Sequence, residues 1–277
     1  MFLVDWRMYA DRKGYSVRPK KSLGQHFLHD VNVANRIVSA LQIQPGDHRV
    51  LEIGPGTGVL TQILIRRDNI DLKVIEIDRD SVAYLKKHYP ELDGRIIEGD
   101  FLKAQLNEIF SGRFSIIGNF PYNISSQIFF KILESRDRVD QVVCMLQKEV
   151  ADRIAAPPGS KTYGILSVLL QAYYNVDHEF KVMPGAFRPP PKVVSAVIRL
   201  QRNAVEKLTC DDKLFVQVVK QAFNTRRKTL RNALKNLNLA AEIVALPLLD
   251  KRAEQLSVND FENLTLLIEK SRGTSGG

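Results

Sequence analysis

Cysteine is almost absent from these 277 residues: Cys144 and Cys210 are the only two, too few for a disulfide framework or a cysteine-rich zinc cluster. Cys144 stands inside the apolar run Val142-Val143-Cys144-Met145-Leu146, where a buried strand thiol is expected. Long hydrophobic runs are missing as well. No stretch approaches the roughly 20 apolar residues of a membrane-spanning helix, and the start Met1-Phe2-Leu3-Val4 is cut off by Asp5, short of a signal-peptide core. Met8 is a second candidate initiator, and a reducing cytoplasm is the expected compartment. There is no internal repeat. His26 and His29 have no further ligand cluster beside them, so no metal is expected. Acidic residues are in deficit, 31 against 40 Lys and Arg, for a formal charge of +9. That surplus suits a polyanion, and nucleic acid ahead of a membrane. A generally basic enzyme would show the same sum, so the position of the charge must decide.

What is present reads as a larger domain followed by a smaller one. Before Arg18, charge, aromatics and Gly14 mix without a period, and residues 1–17 are expected to form a flexible extension. From Arg49 onward, short β-branched runs (49–53, 72–77, 95–98, 114–117 and 141–146) alternate with amphipathic stretches. This is the pattern of an α/β chain with a mostly parallel, doubly wound sheet. Two more β-like runs, 176–182 and 193–200, flank Phe187-Arg188-Pro189-Pro190-Pro191 and suit a hairpin-like pair closing the sheet. After about Glu206 the β-branched runs give way to helical patterns at 211–223, 226–237 and 258–269. The expected organisation is a catalytic domain over 18–205 and a helical domain over 206–277, ending in a flexible tail from Gly273.

The first long strand ends in Glu52-Ile53-Gly54-Pro55-Gly56-Thr57-Gly58, placing a glycine-rich turn at the carboxyl edge of the sheet, where open α/β folds bind ligands. The spacing is G-x-G-x-G, not the G-x-G-x-x-G that cradles a pyrophosphate. Glu76 closes the next strand, where a carboxylate can accept both hydroxyls of a ribose; Asp78 competes for that role but also suits a helix cap. Asp100 follows the third strand and can accept from an adenine amine, or simply cap the turn. Gly54, Gly56, Glu76 and Asp100 together describe an adenosine-shaped ligand without phosphates, which resembles the Rossmann-like S-adenosylmethionine methyltransferase sheet.

After the fourth strand comes Asn119-Phe120-Pro121-Tyr122, a loop stiffened by Pro121. The amine of adenine is a poor nucleophile because its lone pair is delocalised into the ring. Catalysis therefore needs acceptors that hold the amine hydrogens and favour a pyramidal nitrogen. The side-chain oxygen of Asn119 and the backbone carbonyl of Phe120 or Pro121 can do so, and Tyr122 can stack on the base. A rigid turn with a packed aromatic is the plainer reading. A second aromatic wall is sought in Phe187, whose alternative is a place in the core.

Lys20-Lys21-Ser22-Leu23-Gly24-Gln25-His26-Phe27-Leu28, the Gly54 turn, Asn119 to Ser125, Leu146-Gln147-Lys148-Glu149-Val150, Phe187 to Val193, and Arg226-Arg227-Lys228-Thr229-Leu230-Arg231-Asn232 together resemble the KsgA family of ribosomal RNA adenine dimethyltransferases. The resemblance covers about Arg18 to Lys270. It implies dimethylation of two adjacent adenines in a hairpin near the 3′ end of 16S ribosomal RNA, late in assembly of the immature 30S subunit, by a monomer. It also implies cofactor contacts at His26, Leu28, Gly54, Glu76, Asp100 and Asn119. Many members carry Asn where His26 stands; a histidine can still donate to the cofactor.

The basic residues now find places: Arg12, Lys13, Arg18, Lys20 and Lys21 lead into the first motif with no acid between Arg12 and His29, a run that suits phosphate contacts. A second acid-free stretch runs from Lys213 to Ala241. Within it Arg226, Arg227, Lys228 and Arg231 are the expected RNA contacts, against the alternative of a solvated helix face. Two rival functions remain: a large-subunit RNA adenine methyltransferase with a similar Asn loop, and a noncatalytic RNA-binding assembly factor on the same fold.

Overall fold

Strands that are covered on both faces read as nearly unbroken runs of Val, Ile and Leu, and the first two-thirds of the chain is built from them. The computed structural model describes residues 17–43, 48–225 and 227–274. The expected extension over 1–17 lies outside the described residues except for Val17, as do Met8, Arg12, Lys13, Arg226 and residues 275–277 of the tail.

The strands are β1 (Phe27–Leu28), β2 (His48–Ile53), β3 (Ile70–Glu76), β4 (Ile96–Glu98), β5 (Phe114–Asn119), β6 (Val139–Gln147), β7 (Tyr174–Val182), β8 (Phe187–Arg188) and β9 (Ser195–Arg202). The helices are α1 (Val31–Ser39), α2 (Thr61–Leu64), α3 (Arg79–His88), α4 (Leu106–Ile109), α5 (Ser125–Glu134), α6 (Lys148–Ile154), α7 (Ile165–Gln171), α8 (Asp212–Asn224), α9 (Leu230–Ala233), α10 (Ala241–Val244) and α11 (Val258–Thr274). Seven strands form one sheet in the order β4-β3-β2-β5-β6-β9-β7, and β1 pairs with β8 in a separate short ladder. The five strands β4, β3, β2, β5 and β6 are parallel, and β9 runs antiparallel to β6. This is the expected Rossmann-like α/β sheet, with the hairpin-like pair at its edge. The chain moves outward from β2 through β3 and β4, then returns to β5 on the other side. Such a reversal opens a crevice at the carboxyl ends of the strands on either side of it.

Alternation along the strands builds both layers. Val50, Val74, Ile117 and Val143 join one cluster with Ala34, Ile37 and Val38 of α1, Leu64 of α2 and Leu85 of α3. Their neighbours Leu51, Ile75, Ile116 and Cys144 point the other way and are buried too. Asp30 caps α1 through Asn32 and Val33 backbone N–H groups, and Asp78 caps α3.

The chain divides into two compact units. The first contains the residues up to Ala151 together with Asp177–Gln201; the second contains Asp152–Val176 and the residues from Arg202 onward. Residues 152–176 were expected with the sheet. They group with the helical unit because the apolar face of α7 is covered there, by α8 and α11. In the same unit Phe223 meets Tyr163 at 6.1 Å between ring centroids and Phe261 at 5.9 Å. The continuous helix expected over 226–237 does not form. Thr229 is extended, α9 spans four residues, and Lys235–Leu237 is a 3₁₀ turn ending at Asn238 with φ 50°. The N–H of Leu230 donates to the carbonyl of Lys251 at 2.8 Å, a tertiary partner in place of a helical one.

Candidate active site

The carboxyl ends of β2, β3 and β5, with the turn after β4, bring Gly54, Glu76, Asn119 and Asp100 to the walls of a single cavity of about 240 Å³. Gly56, Phe120, Pro121, Tyr122 and His26 line it as well. Sequence-distant residues meet here because parallel strands end along one edge.

Each wall has a local cause. Gly54 has φ +62°, and a Cβ built on it would meet nothing within 4 Å, so its backbone borders open space. Gly56 is glycine for another reason: a Cβ there would lie 2.8 Å from the Phe27 ring. The Gly56 N–H donates to Glu76 Oε2 at 3.1 Å, and the Asp78 N–H to Glu76 Oε1 at 2.8 Å. Glu76 is 4% exposed. Burial pushes its carboxyl upward, and these backbone donors oppose that rise. The carboxylate keeps acceptor capacity beside these donors. Asp78 does not line the cavity. It caps α3, accepts from Ser81 Oγ at 3.1 Å and pairs with Lys20. Burial raises its carboxyl, but the hydrogen bonds from Lys20, Gln25 and Ser81 outweigh burial and hold it below the usual range. Of the two, Glu76 is the one on the cavity wall. Asp100 caps the turn after β4: Oδ1 accepts from the Leu102 N–H at 2.9 Å, and Oδ2 has no partner among the described residues.

Asn119 is oriented by a bond that cannot be reversed. Its Nδ2 donates to the carbonyl of His26 at 2.9 Å. A carbonyl only accepts, so the nitrogen must face it and Oδ1 must face away. The Phe120 N–H donates to Met145 O at 2.9 Å, and the Phe120 ring meets Phe129 edge-on at 5.8 Å. The Pro121 carbonyl accepts from Ile124 N–H at 3.3 Å, while no described group donates to the carbonyl of Phe120. Of the two backbone acceptors considered, that of Phe120 is the free one. The Tyr122 hydroxyl meets Ser195 Oγ at 2.5 Å, and burial holds its phenol above the ordinary range.

Three sequence-based expectations need correction. Phe187 is 2% exposed, packed in the core and paired with Leu28 across the β1–β8 ladder; it does not line the cavity. The two-residue ladder turns its ring inward. Arg231 is already engaged, with Nε and Nη2 on Asp250 Oδ1 at 3.0 and 2.7 Å and Nη1 on the Val244 carbonyl. Lys20, expected among phosphate contacts, pairs with Asp78 and, at 2.8 Å, with Asp80. Arg227 and Lys228 are exposed in the helical unit. The Leu28 side chain is in the core, and the residue borders a smaller cavity of about 20 Å³ that also touches Glu52, Gly54 and Asn119.

Other residues of the site escaped the sequence reading. Glu52, 1% exposed, accepts from Thr61 Oγ1 at 2.7 Å, and burial pushes its carboxyl up to about 8. An acid inside the apolar run of β2 was the available signal. Ser22 to Gln25, Ile77 and Phe101 also line the main cavity. Ile77 is 51% exposed beside Glu76, an apolar surface where a flat ring can lie. The lining carries two carboxylates and, among the described residues, neither Lys nor Arg. That wall disfavours a phosphate-bearing ligand and fits an adenosine with a positive sulfonium, so the residues present suit S-adenosylmethionine.

Comparison with known proteins agrees with this geometry. The family profile described as ribosomal RNA adenine dimethylase matches residues 17–270. A protein of Cytophaga hutchinsonii named ribosomal RNA small subunit methyltransferase A is 54% identical over 252 residues, covering 91% of this chain and 98% of its own. The protein of that name from Parabacteroides distasonis is 56% identical over 255 residues, 92% of this chain and 95% of its own. Among solved structures, a dimethyladenosine transferase from Plasmodium falciparum aligns with TM-score 0.74 at 27% identity, covering 89% of this chain and 98% of that one. The 23S rRNA methyltransferase ErmE aligns with TM-score 0.60 at 25% identity, covering 86% and 99%.

Proposed function

The chain belongs to the ribosomal RNA adenine dimethylase family, and from that premise we propose that it dimethylates the exocyclic amines of two adjacent adenines in a hairpin near the 3′ end of 16S ribosomal RNA. The cofactor is S-adenosylmethionine, which supplies a methyl carbon on a sulfonium that departs as a neutral thioether. The substrate is ribosomal RNA, presented within the immature 30S subunit late in its assembly, and the enzyme acts as a cytoplasmic monomer. No helix among the described residues is long and apolar enough to cross a membrane.

The observation that carries this reading is the orientation of Asn119 in a cavity walled by Glu76 and Asp100. Glu76 would hold the cofactor by its two ribose hydroxyls, Asp100 Oδ2 would accept from its adenine amine, and the backbone at Gly54 would border it. Support for these roles lies in the free acceptor positions and in the open space beside Gly54. Asn119 Oδ1 and the Phe120 carbonyl accept the two hydrogens of the target amine and favour a pyramidal nitrogen with its lone pair available. Tyr122 stacks on the base, offsetting part of the unstacking cost of about a few kcal/mol. Once the nitrogen has gained a methyl group it is positively charged and acidic, so its proton leaves without a dedicated strong base. Alignment and electrostatics carry the step. Exposed Arg227 and Lys228 contact phosphates and set a salt-dependent affinity.

The test is methyl label with purified ribosomal particles lacking the modification. Label is expected in 16S adenines of immature small subunits, and label in large-subunit RNA instead would favour the rival reading. Asn119→Ala should keep RNA binding while methyl transfer falls by about 10²–10³-fold, the scale of one lost transition-state hydrogen bond. Unchanged transfer would remove Asn119 from the mechanism.

A further inference from the structure

Tyr122 is held at two places. Its hydroxyl meets Ser195 Oγ at 2.5 Å, and one face of its ring is stacked on His26 with centroids 5.5 Å apart and planes 27° apart. His26 is in turn fixed. The β1–β8 ladder pairs Phe27 with Arg188, which brings the preceding His26 opposite the following Pro189. Pro189 has no N–H to continue the ladder. Instead His26 Nδ1 lies 2.8 Å from the Pro189 carbonyl, and because a carbonyl only accepts, Nδ1 must carry the proton. The backbone carbonyl of the same residue is the acceptor that orients Asn119.

One residue therefore connects the first motif, the Asn119 amide, the Tyr122 ring and the proline loop. We propose that His26 is a positioning residue for methyl transfer: its imidazole sets the angle of Tyr122, and its backbone sets the face of Asn119 offered to the target amine. The inference rests on the methyltransfer reading above, and it gives His26 a role beyond the cofactor contact implied by resemblance. Among the described residues no second ring lies against Tyr122. An asparagine at this position offers an N–H to Pro189 but no ring to back Tyr122.

Three variants separate the parts. His26→Ala removes ring and donor, His26→Phe keeps a ring, and His26→Asn keeps a donor. Single-turnover methyl transfer at saturating cofactor should fall at least about tenfold in His26→Ala, as expected for a misplaced reacting pair. It should be higher in His26→Phe, which keeps the ring, than in His26→Asn, which keeps only the donor. In His26→Ala the Kd for S-adenosylhomocysteine, measured by calorimetry, should change by a smaller factor than the single-turnover rate at saturating cofactor, because a positioning loss persists when the cofactor is bound. A Kd that rises in step with the lost activity, while the rate at saturation holds, overturns the proposal in favour of a cofactor contact. A crystal structure of His26→Ala in which the Tyr122 ring keeps its place overturns it whichever RNA the enzyme methylates. Absence of label from 16S adenines with the unaltered enzyme would instead refute the substrate reading, and the crystal structure would still decide this one.

Discussion

Replacing Glu52 by Gln isolates one buried acid whose effect can be worked through. Glu52 is 1% exposed on β2, and its carboxyl is pushed up to about 8 from 4.5, mainly by burial, with the Thr61 hydroxyl opposing and Glu76 adding to the rise. The folded protein therefore holds a proton here that the unfolded chain releases above about pH 4.5. The sign follows from linkage: wherever the folded state binds more protons, stability falls as pH rises. The contribution is full below pH 4.5, declines through the window up to about 8 and is flat above it. A span of about 3.5 pH units at roughly 1.4 kcal/mol per unit gives on the order of 5 kcal/mol lost by pH 9. Gln keeps an oxygen to accept from Thr61 and has nothing to ionise. Thermal melts of both proteins at pH 5 and pH 9, without cofactor, should show the wild type losing on the order of 10 °C more than Glu52→Gln between the two. Parallel curves would refute the argument, because a Glu52 ionised throughout would give no differential slope.

Phe187→Ala should cost roughly 3–5 kcal/mol of stability, whereas Phe187→Leu should keep the methyl-transfer rate within about twofold; a large rate loss in the Leu variant would return Phe187 to the base-binding wall. Gly54→Ala and Gly56→Ala should separate by readout. Both lose stability because each residue has positive φ, but the first should also weaken cofactor binding in calorimetry, and the second should lose roughly 1–3 kcal/mol more in denaturant melts because its methyl meets Phe27. Lys228→Ala should reduce the slope of log affinity against log salt by about one phosphate contact. Arg231→Ala should leave that slope unchanged and lower the melting temperature, since its guanidinium is held by Asp250 and Val244.

Much of this molecule was legible before any coordinate. Strand runs separated by amphipathic stretches implied the parallel sheet, because period and β-branching are local properties of the chain. Gly54, Glu76, Asp100 and Asn119 could be named because strand ends in a parallel sheet share an edge, so three strand-end residues and a turn glycine imply one site without knowledge of any contact. The side chains that pack between elements were not legible in this way. Phe187 looked like an aromatic wall until the register of β1 against β8 turned it into the core. Arg231 looked like an RNA contact, yet Asp250, nineteen residues later, claims it. Residues 152–176 join the helical unit because α8 and α11 cover α7, which no local pattern records. The same holds for the direction of the Asn119 amide and the stacking of Tyr122. A sequence carries periodicity and residue type along the chain, and these determined the sheet, its ligand edge and the chemistry available there. Which face a side chain turns and which partner satisfies it depend on long-range pairings, and only the tertiary structure decided those.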